Sequence, residues 1–396
     1  MSWKETYNAW KNYQALEPDL KDELAKLEGN DEALEDAFYA PMEFGTAGMR
    51  GVIGAGINRM NVYTVRQATE GLASLMDTLD EETKRRGVAI SYDSRHKSQE
   101  FAFESARVLG AHGIPSFVFE SLRPTPELSF TVRHLHAYAG IMITASHNPK
   151  QYNGYKIYGE DGAQMPPKES DLITKYIREV DDIFAVEAAD KDALINDGTL
   201  KVIGSEIDKE YLAEVKKVTV DPELVAEEGK TMKLIFTPLH GTGAMLGEKA
   251  LRQAGFEDFT MVPEQATPDA DFSTVEHPNP EFPEAFDLAI KLGKRDDADL
   301  LIAVDPDADR LGAAVRQPDG DYKLLTGNQI AAIMLNYILT ARKNAGTLPE
   351  NGALVKSIVS SEFAAKIAKD FGCDTINVLT GFKFIAEQIQ HFEETN

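Results

Sequence analysis

Cysteine is nearly absent from this sequence, since Cys373 is the single one among 396 residues. One cysteine cannot form an internal disulfide, which fits a reducing cytoplasm. Long apolar runs are missing as well. No stretch comes near the roughly eighteen apolar residues of a transmembrane helix, and the start "MSWKETYNAWKNYQ" lacks the basic-then-apolar pattern of a signal peptide. We therefore expect a cytoplasmic protein without a membrane partner.

Positive charge is also scarce. The 41 Lys and Arg residues face 65 Asp and Glu residues, which gives a formal net charge of −24. Broad nucleic-acid binding needs a basic face, so a nucleic-acid partner is not expected. An anionic small molecule would be repelled too, unless its site were locally basic. Any acidic protein has some surface Arg and Lys, but several lie in the loops discussed below: Arg50, Arg95, Lys97, Lys150, Lys156 and Arg310.

From about residue 41 onward, strand-like apolar segments alternate with helical segments. This order indicates α/β domains, each with a largely parallel sheet flanked by helices. Ligands of such sheets bind beyond the carboxyl ends of the strands, where the polar loops of this chain fall. We predict a helical extension and three α/β domains, with the boundaries 1–40, 41–208, 209–322 and 323–396.

Three aspartates alternate in "DPDADR", directly after the apolar segment "LLIAV". Carboxylates this close repel one another unless a cation neutralises them, and hard oxygen ligands suit Mg²⁺ or Ca²⁺. An EF-hand loop is excluded, because Arg310 and Arg316 stand where that loop needs glycine and glutamate. Asp305, Asp307 and Asp309 are therefore predicted metal ligands, and a solvated acidic turn is the alternative.

A serine follows another strand-like segment, "YAGIMI", in "TASHNPKQYNGYK". The G-x-S-x-G pattern of a hydrolase nucleophile is missing around Ser146, and no triad that would orient His147 can be identified. Phosphate chemistry fits better, because a metal and cationic groups spread charge over a transferring phosphoryl group, which a serine can carry covalently. The alternative is a turn serine that caps the next element.

Other loops at strand ends carry charged or glycine-rich segments. "EFGTAGMRGVIGAGINRMN" lets backbone N–H groups approach a phosphate, and its Arg50 could bind one with two hydrogen bonds. It matches neither a P-loop nor a Rossmann loop, and a flexible loop is the alternative. "SYDSRHKS" brings Arg95 to a strand end, where Ser98 could also cap a helix. "TPLHGTG" and "LTGFK" also lie at the ends of strand-like segments, later in the chain. His240, in the first of these, could be a structural histidine.

Taken together, "FGTAGMRG", "TASHNP…NGYK", "DPDADR" and "TGFK" resemble the α-D-phosphohexomutase family in this order. The similarity runs from about residue 38 to the end of the sequence and is closest to the larger phosphoglucomutases, which also have an N-terminal helical extension. The resemblance implies α/β domains with mixed, largely parallel sheets around a cleft, followed by a fourth domain of another type.

The resemblance also implies a role for each matching residue. Ser146 would carry the phosphoryl group, and one of its phosphate oxygens would complete a Mg²⁺ site formed by the three aspartates. Arg50, His147, Lys156 and Arg310 would surround the transferring phosphoryl, with His147 and Lys156 as candidate acid and base. The predicted substrate-binding residues are Arg95, Arg310, Thr380, Gly381 and Lys383.

The implied reaction interconverts glucose 1-phosphate and glucose 6-phosphate through glucose 1,6-bisphosphate, which also acts as activator. The ligand would be a small phosphosugar, and no obligate protein partner is evident. "EHPNPE" favours glucose over mannose or a pentose. A G-E-E-S-G-like sugar loop and a fourth-domain phosphate loop do not occur before Asn396. We therefore expect a chain truncated within or after its third domain and lacking the fourth, and the alternative function is a phosphosugar- and Mg²⁺-binding fragment that does not turn over.

Overall fold

The computed structural model describes residues 2–45, 48–165 and 167–395, so Thr46 and Ala47 of the segment "FGTAGMRG" lie outside the described residues. The chain divides into two compact units. The first ends at Ser205 and the second begins at Glu206. Each unit is described separately below.

The first unit begins with three helices, α1 (Trp3–Asn12), α2 (Pro18–Leu27) and α3 (Asp31–Phe38). Ser2 starts α1 with a capping box that includes Glu5, and Pro18 occupies the first turn of α2, where its missing N–H has no cost. Trp10 packs edge-on against the rings of Phe38 and Tyr63, with centroids 5.7 and 5.5 Å apart. The helices of the predicted extension are therefore part of the core of the first unit.

A mixed six-stranded sheet forms the centre of the first unit, in the order β1-β5-β4-β2-β3-β6. Its strands are β1 (Met49–Val52), β2 (Val88–Tyr92), β3 (Ser116–Phe119), β4 (Ala139–Ile143), β5 (Tyr152–Tyr158) and β6 (Leu200–Ile203). The strands β4, β2, β3 and β6 run parallel, whereas β5 is antiparallel to both β4 and β1. This agrees with the predicted mixed, largely parallel sheet.

Further helices complete the first unit. They are α4 (Val62–Asp77), α5 (Glu81–Arg85), α6 (Ser98–Ala111), α7 (Thr125–His134), α8 (Pro167–Arg178) and α9 (Lys191–Asp197). Among these, α6, α7 and α9 pack directly against the sheet. Asn61 caps α4 by accepting hydrogen bonds from the backbone N–H groups of Tyr63 and Thr64. The strands β2 and β4 are buried along their whole length, as expected for strands covered on both faces.

The second unit contains a five-stranded sheet in the order β11-β10-β9-β7-β8. Its elements are α10 (Ser205–Lys217), α11 (Pro222–Glu228), β7 (Leu234–Thr237), α12 (Gly243–Ala254), β8 (Phe259–Met261), α13 (Asp287–Asp296), β9 (Leu300–Val304), β10 (Leu311–Arg316) and β11 (Tyr322–Leu325). The strands β9, β7 and β8 are parallel, β10 is antiparallel to β9, and β11 is antiparallel to β10.

A smaller α/β segment ends the second unit. It comprises α14 (Gly327–Asn344), β12 (Ala353–Ser357), α15 (Glu362–Asp370), β13 (Asp374–Val378) and α16 (Phe382–Thr395). The strands β12 and β13 form a parallel pair. Leu339, Ala368 and the lone Cys373 share its buried apolar cluster. In the part of the chain that the structure describes, no helix is both long enough and apolar enough to span a bilayer.

Candidate active site

The serine loop, residues 144–151, connects the antiparallel strands β4 and β5. Ser146 has a φ of +53°, in the left-handed region where a residue with a side chain is strained by about 1–3 kcal/mol. Its backbone N–H donates to Thr144 Oγ1 at 2.8 Å, and the N–H of Asn148 donates to the carbonyl of Ala145 at 3.1 Å. Strained backbone that is held by local hydrogen bonds is typical of functional loops.

Two of the predicted catalytic residues come close to this serine. His147 Nδ1 lies 3.2 Å from Ser146 Oγ, within reach of a hydrogen bond. Arg50, on β1, donates from Nη1 to Asn148 Oδ1 at 3.0 Å, and the guanidinium is thereby attached to the serine loop. The chain brings the three residues together because β1 pairs with β5, with Arg50 opposite Gly154.

Gly154 is required for this close packing. A Cβ at this position would lie 2.5 Å from the carbonyl oxygen of Thr144 and 2.8 Å from that of Met49. Lys156 follows two residues later on β5, where it pairs with Met142, and it is only 4% exposed. Since side chains alternate along a strand, Lys156 lies on the same face of β5 as Gly154.

Arg95 lies beneath the serine loop with a fully buried side chain. Its Nη1 donates to the carbonyls of Pro149 at 2.9 Å and Tyr152 at 3.1 Å, and its Nη2 donates to the carbonyls of Ser146 and Asn148. Its Nε lies 3.2 Å from Asp93 Oδ2. Burial raises the pKa of the Asp93 carboxyl, and the Arg95 guanidinium opposes that rise. The predicted contact of Arg95 with substrate stays a prediction.

The aspartate loop, residues 305–310, lies between β9 and β10 in the second unit. One carboxylate oxygen from each of Asp305, Asp307 and Asp309 lies within 4.8 Å of the others, and the first two residues are fully buried. Three converging carboxylates suit a hard divalent cation such as Mg²⁺, so the donor set fits the predicted metal. Arg310 has a half-exposed side chain, and its backbone N–H donates to Asp305 Oδ1 at 3.0 Å.

The segment "HGTG" supports the aspartate loop. Both the backbone N–H and Oγ1 of Thr242 donate to the carbonyl of Pro306, at 2.8 and 2.9 Å. A Cβ on Gly241 would lie 2.3 Å from Pro306 Cα, so glycine permits this approach. His240 is buried, with Nε2 2.8 Å from Thr274 Oγ1, which is the arrangement of a structural histidine.

The "TGFK" segment begins after β13 and ends in the first turn of α16. Thr380 and Gly381 are exposed, and Gly381 has a φ of +132°, which favours glycine. Lys383 is buried in the first turn of α16, with its Nζ 4.8 Å from the centroid of the Phe384 ring. Contact of Thr380, Gly381 and Lys383 with a substrate stays a prediction.

Sequence reasoning did not assign the residues that support the two loops. Thr144, Asn148 and Asp93 fix the serine loop, and Thr242 fixes the aspartate loop. All four lie in the motifs quoted above. The placement of Asp93 two residues before Arg95 could have indicated an ion pair. Thr144 and Thr242 contact backbone groups, and Asn148 contacts a side chain that is distant in sequence, so a sequence pattern does not reveal these partners.

Three protein-family models match successive parts of the chain, in the same order as the loops described above. Models of the three α/β/α domains of the phosphoglucomutase/phosphomannomutase family match residues 41–183 for domain I, 209–320 for domain II and 326–394 for domain III. The chain belongs to the phosphoglucomutase/phosphomannomutase family. The predicted family is thereby confirmed, together with the α/β architecture.

Two curated members of this family are similar over most of the chain. The phosphoglucomutase of Staphylococcus saprophyticus is 39% identical over 354 residues, which cover 89% of this chain and 62% of that protein. That of Staphylococcus aureus is 38% identical over 360 residues, which cover 91% and 62%. The chain therefore spans about three fifths of the length of these phosphoglucomutases.

Solved structures of the family share the fold. A putative phosphomannomutase from Thermus thermophilus has a TM-score of 0.70 and 25% identity, and the match covers 89% of this chain and 72% of that one. The pp63/parafusin phosphoglucomutase from Paramecium has a TM-score of 0.67 and 20% identity, with 89% and 65% covered.

Proposed function

We propose that this chain performs the phosphoryl-transfer chemistry of a phosphoglucomutase, with Ser146 as the residue that carries the phosphoryl group. The observation that carries the proposal is the serine loop, in which a strained, buried serine has His147 Nδ1 3.2 Å from its hydroxyl oxygen and Arg50 attached alongside. The phosphoglucomutases of two staphylococci are similar over most of the chain, which favours glucose phosphates over mannose or pentose phosphates.

In the proposed reaction, a glucose monophosphate binds beside phosphorylated Ser146. The bond from phosphorus to Ser146 Oγ breaks as a bond forms from phosphorus to the free sugar hydroxyl, whose proton passes to Lys156. His147 gives a proton to the serine oxygen that leaves. The product, glucose 1,6-bisphosphate, returns its other phosphoryl to Ser146 by the reverse steps, and His147 then takes the serine proton.

Cationic groups would offset the electrostatic repulsion between a phosphoryl group and a chain of net charge −24. Arg50 would bind phosphoryl oxygens from its position on β1 beside the serine loop, and the half-exposed Arg310 would do so from the aspartate loop. Asp305, Asp307 and Asp309 would hold Mg²⁺, whose charge lowers the repulsion between the phosphoryl oxygens and the incoming hydroxyl. An oxygen of the phosphorylated serine is the further metal ligand that we propose.

The remaining proposals concern ligand and location. Thr380, Gly381 and Lys383 are the other substrate contacts that we propose, and glucose 1,6-bisphosphate is the predicted activator. The domain boundaries of 1–40, 41–208, 209–322 and 323–396 and the cleft also stay predictions. A cytoplasmic location is proposed from the single cysteine.

A second function is a phosphosugar- and Mg²⁺-binding protein that accepts one phosphoryl group but does not turn over. It is supported by the three converging carboxylates and the serine loop, which account for metal binding and uptake of a phosphoryl group without turnover. One experiment separates the two functions. The chain is incubated with glucose 1,6-bisphosphate and Mg²⁺ and analysed by intact mass and peptide mapping, and conversion of glucose 1-phosphate is followed in parallel.

For a phosphoglucomutase we expect one phosphoryl group on the peptide that contains Ser146, together with product formation. The Ser146→Ala variant is the control and should show neither. Phosphorylation without product would support the binding protein. A chain that takes up no phosphoryl while still binding Mg²⁺ would overturn the catalytic assignment.

A further inference from the structure

We infer that Arg95 is a positioning residue that holds the serine loop in its reactive shape, and that Asp93 anchors it. The inference rests on the proposed function for its consequence in catalysis, but the structural part stands on contacts within the first unit alone. It differs from the role that the resemblance implied for Arg95, which was contact with the substrate.

The first argument is the set of atoms that Arg95 binds. Its two terminal nitrogens donate to four backbone carbonyls, those of Ser146, Asn148, Pro149 and Tyr152. These carbonyls span the loop from the reactive serine to the first residue of β5. Arginine presents its donors in a planar, fixed fork, so one side chain sets the relative positions of all four carbonyls.

The second argument is the direction of the guanidinium. The side chain of Arg95 is fully buried; both of its terminal nitrogens donate to backbone carbonyls of the first unit, and its Nε lies within ion-pair distance of Asp93. The Arg95 guanidinium therefore binds the loop from its buried side, whereas Arg50 is an exposed residue of β1 that contacts the loop through Asn148. The two arginines therefore differ in role although both stand in glycine- or charge-rich motifs.

The third argument is the anchor. Asp93 Oδ2 lies 3.2 Å from Arg95 Nε, and Asp93 Oδ1 accepts hydrogen bonds from the backbone N–H of Arg95 at 2.9 Å and from Ser98 Oγ at 2.7 Å. Asn153 Nδ2 donates to Ser98 Oγ at 2.9 Å. The end of β2, the start of α6 and the start of β5 are thus joined to one buried ion pair.

The consequence follows from the backbone of Ser146. Its left-handed φ of +53° is unfavourable and persists only if the surroundings determine it. Arg95 binds the carbonyl of that same residue, so loss of the guanidinium removes a restraint at the strained position. A small displacement of a reacting group is enough to reduce a rate by about a hundredfold.

The test compares Arg95→Ala and Arg95→Lys with two controls. Arg107→Ala removes another arginine that donates to a backbone carbonyl, that of Ala189 at 2.8 Å. Leu109→Ala removes a buried apolar side chain of α6 and lowers stability without touching the loop. A lysine cannot reproduce the planar fork, so Arg95→Lys should be impaired although it keeps the charge.

The first measurement is amide hydrogen exchange of the unphosphorylated chain without phosphosugar. We expect exchange in peptides covering residues 144–154 to accelerate about tenfold or more in both Arg95 variants and to stay unchanged in both controls. Unchanged exchange of these peptides in the Arg95 variants would overturn the inference. The exchange measurement tests the role of Arg95 even if the wild-type chain takes up no phosphoryl group. That lack of uptake would instead refute the proposed function.

The second measurement is the rate of Ser146 phosphorylation by glucose 1,6-bisphosphate. A positioning role predicts a fall of the maximal rate by about ten- to a hundredfold, with little change in the concentration at half-maximal rate. A raised half-maximal concentration with an unchanged maximal rate would mean that Arg95 binds the sugar phosphate, and would overturn the inference. If Arg95→Ala does not fold, Asp93→Asn, which removes the anchor charge, takes its place with the same expected outcomes.

Discussion

Raising the pH should lower the free energy of unfolding of the first unit through one residue, His112, which caps the C-terminal end of α6. Its Nε2 lies 3.0 Å from Glu70 Oε2 and its Nδ1 lies 2.6 Å from Asp77 Oδ2, both on α4. The hydrogen bond to Glu70, aided by that to Asp77, raises the pKa of His112 from 6.5 to about 9. Lys84 of α5 also pairs with Asp77, at 2.6 Å.

The sign and size of the effect follow from this pKa. Because the folded pKa is higher than the unfolded one, the stabilisation is complete below about pH 6.5 and is lost as the pH rises through about 9. The difference between the two values corresponds to about 3 kcal/mol, at about 1.4 kcal/mol for each pH unit. The side chain is 20% exposed, so screening by solvent reduces the expected value to about 2 kcal/mol.

The surroundings of the ring support the same sign. His112 lines a cavity of about 550 Å³ in the first unit. The wall of this cavity also carries five acidic residues, Glu70, Glu179, Asp181, Asp182 and Glu187. Carboxylates around a ring favour its charged form.

The assay is urea unfolding of the wild type and of His112→Gln at several pH values from about 6 to about 10. Glutamine keeps hydrogen-bonding capacity but carries no charge. We expect the variant to be less stable by about 2 kcal/mol at the acidic end and the difference to vanish above about pH 9.5. A difference of the same size at every pH would refute the reasoning, because it would show that packing and not charge stabilises the site.

Three further predictions concern the metal, the serine loop and the N-terminal helices. Asp307→Asn should weaken Mg²⁺ binding in calorimetry by about tenfold or more, because one buried carboxylate charge is removed; an unchanged affinity would count against the metal site. Gly154→Ala should lower the free energy of unfolding by about 1–3 kcal/mol and slow phosphorylation of Ser146, because its Cβ would overlap the carbonyl of Thr144; a variant as stable and fast as wild type would contradict this packing. Trp10→Ala should destabilise the first unit by about 3–5 kcal/mol in urea unfolding, and a loss under about 1 kcal/mol would mean that the helices are a removable appendage.

The sequence was most informative where an apolar strand ended in a polar loop. The segments before Ser146 and before Asp305 are the strands β4 and β9, and both loops lie directly after them. Buried strands have continuous apolar runs, so their ends are easy to locate. The order of such loops was specific enough to identify the family.

Several strands were not assigned from the sequence, namely β1, β5, β6, β10 and β11. Most of these are short, and β5 contains the polar and glycine residues of "YNGYKIY". Glycine and asparagine are unfavourable in strands, so the local pattern argued for a loop. Pairing with β4 overrides this preference, and with β1 it creates the antiparallel part of the sheet.

By itself, the sequence determined the chemical groups of this protein and their order: a serine with a histidine beside it, a spaced set of aspartates, and arginines in an acidic chain. Only the tertiary structure decided which way those groups point. Arg50 and Arg95 occupy similar motifs, yet Arg50 is exposed and Arg95 is turned inward to three carbonyls of the serine loop and that of Tyr152 in β5. The physical reason is that the direction of a side chain depends on the path of the backbone around it, and the converging carbonyls exist only once β4 and β5 have paired.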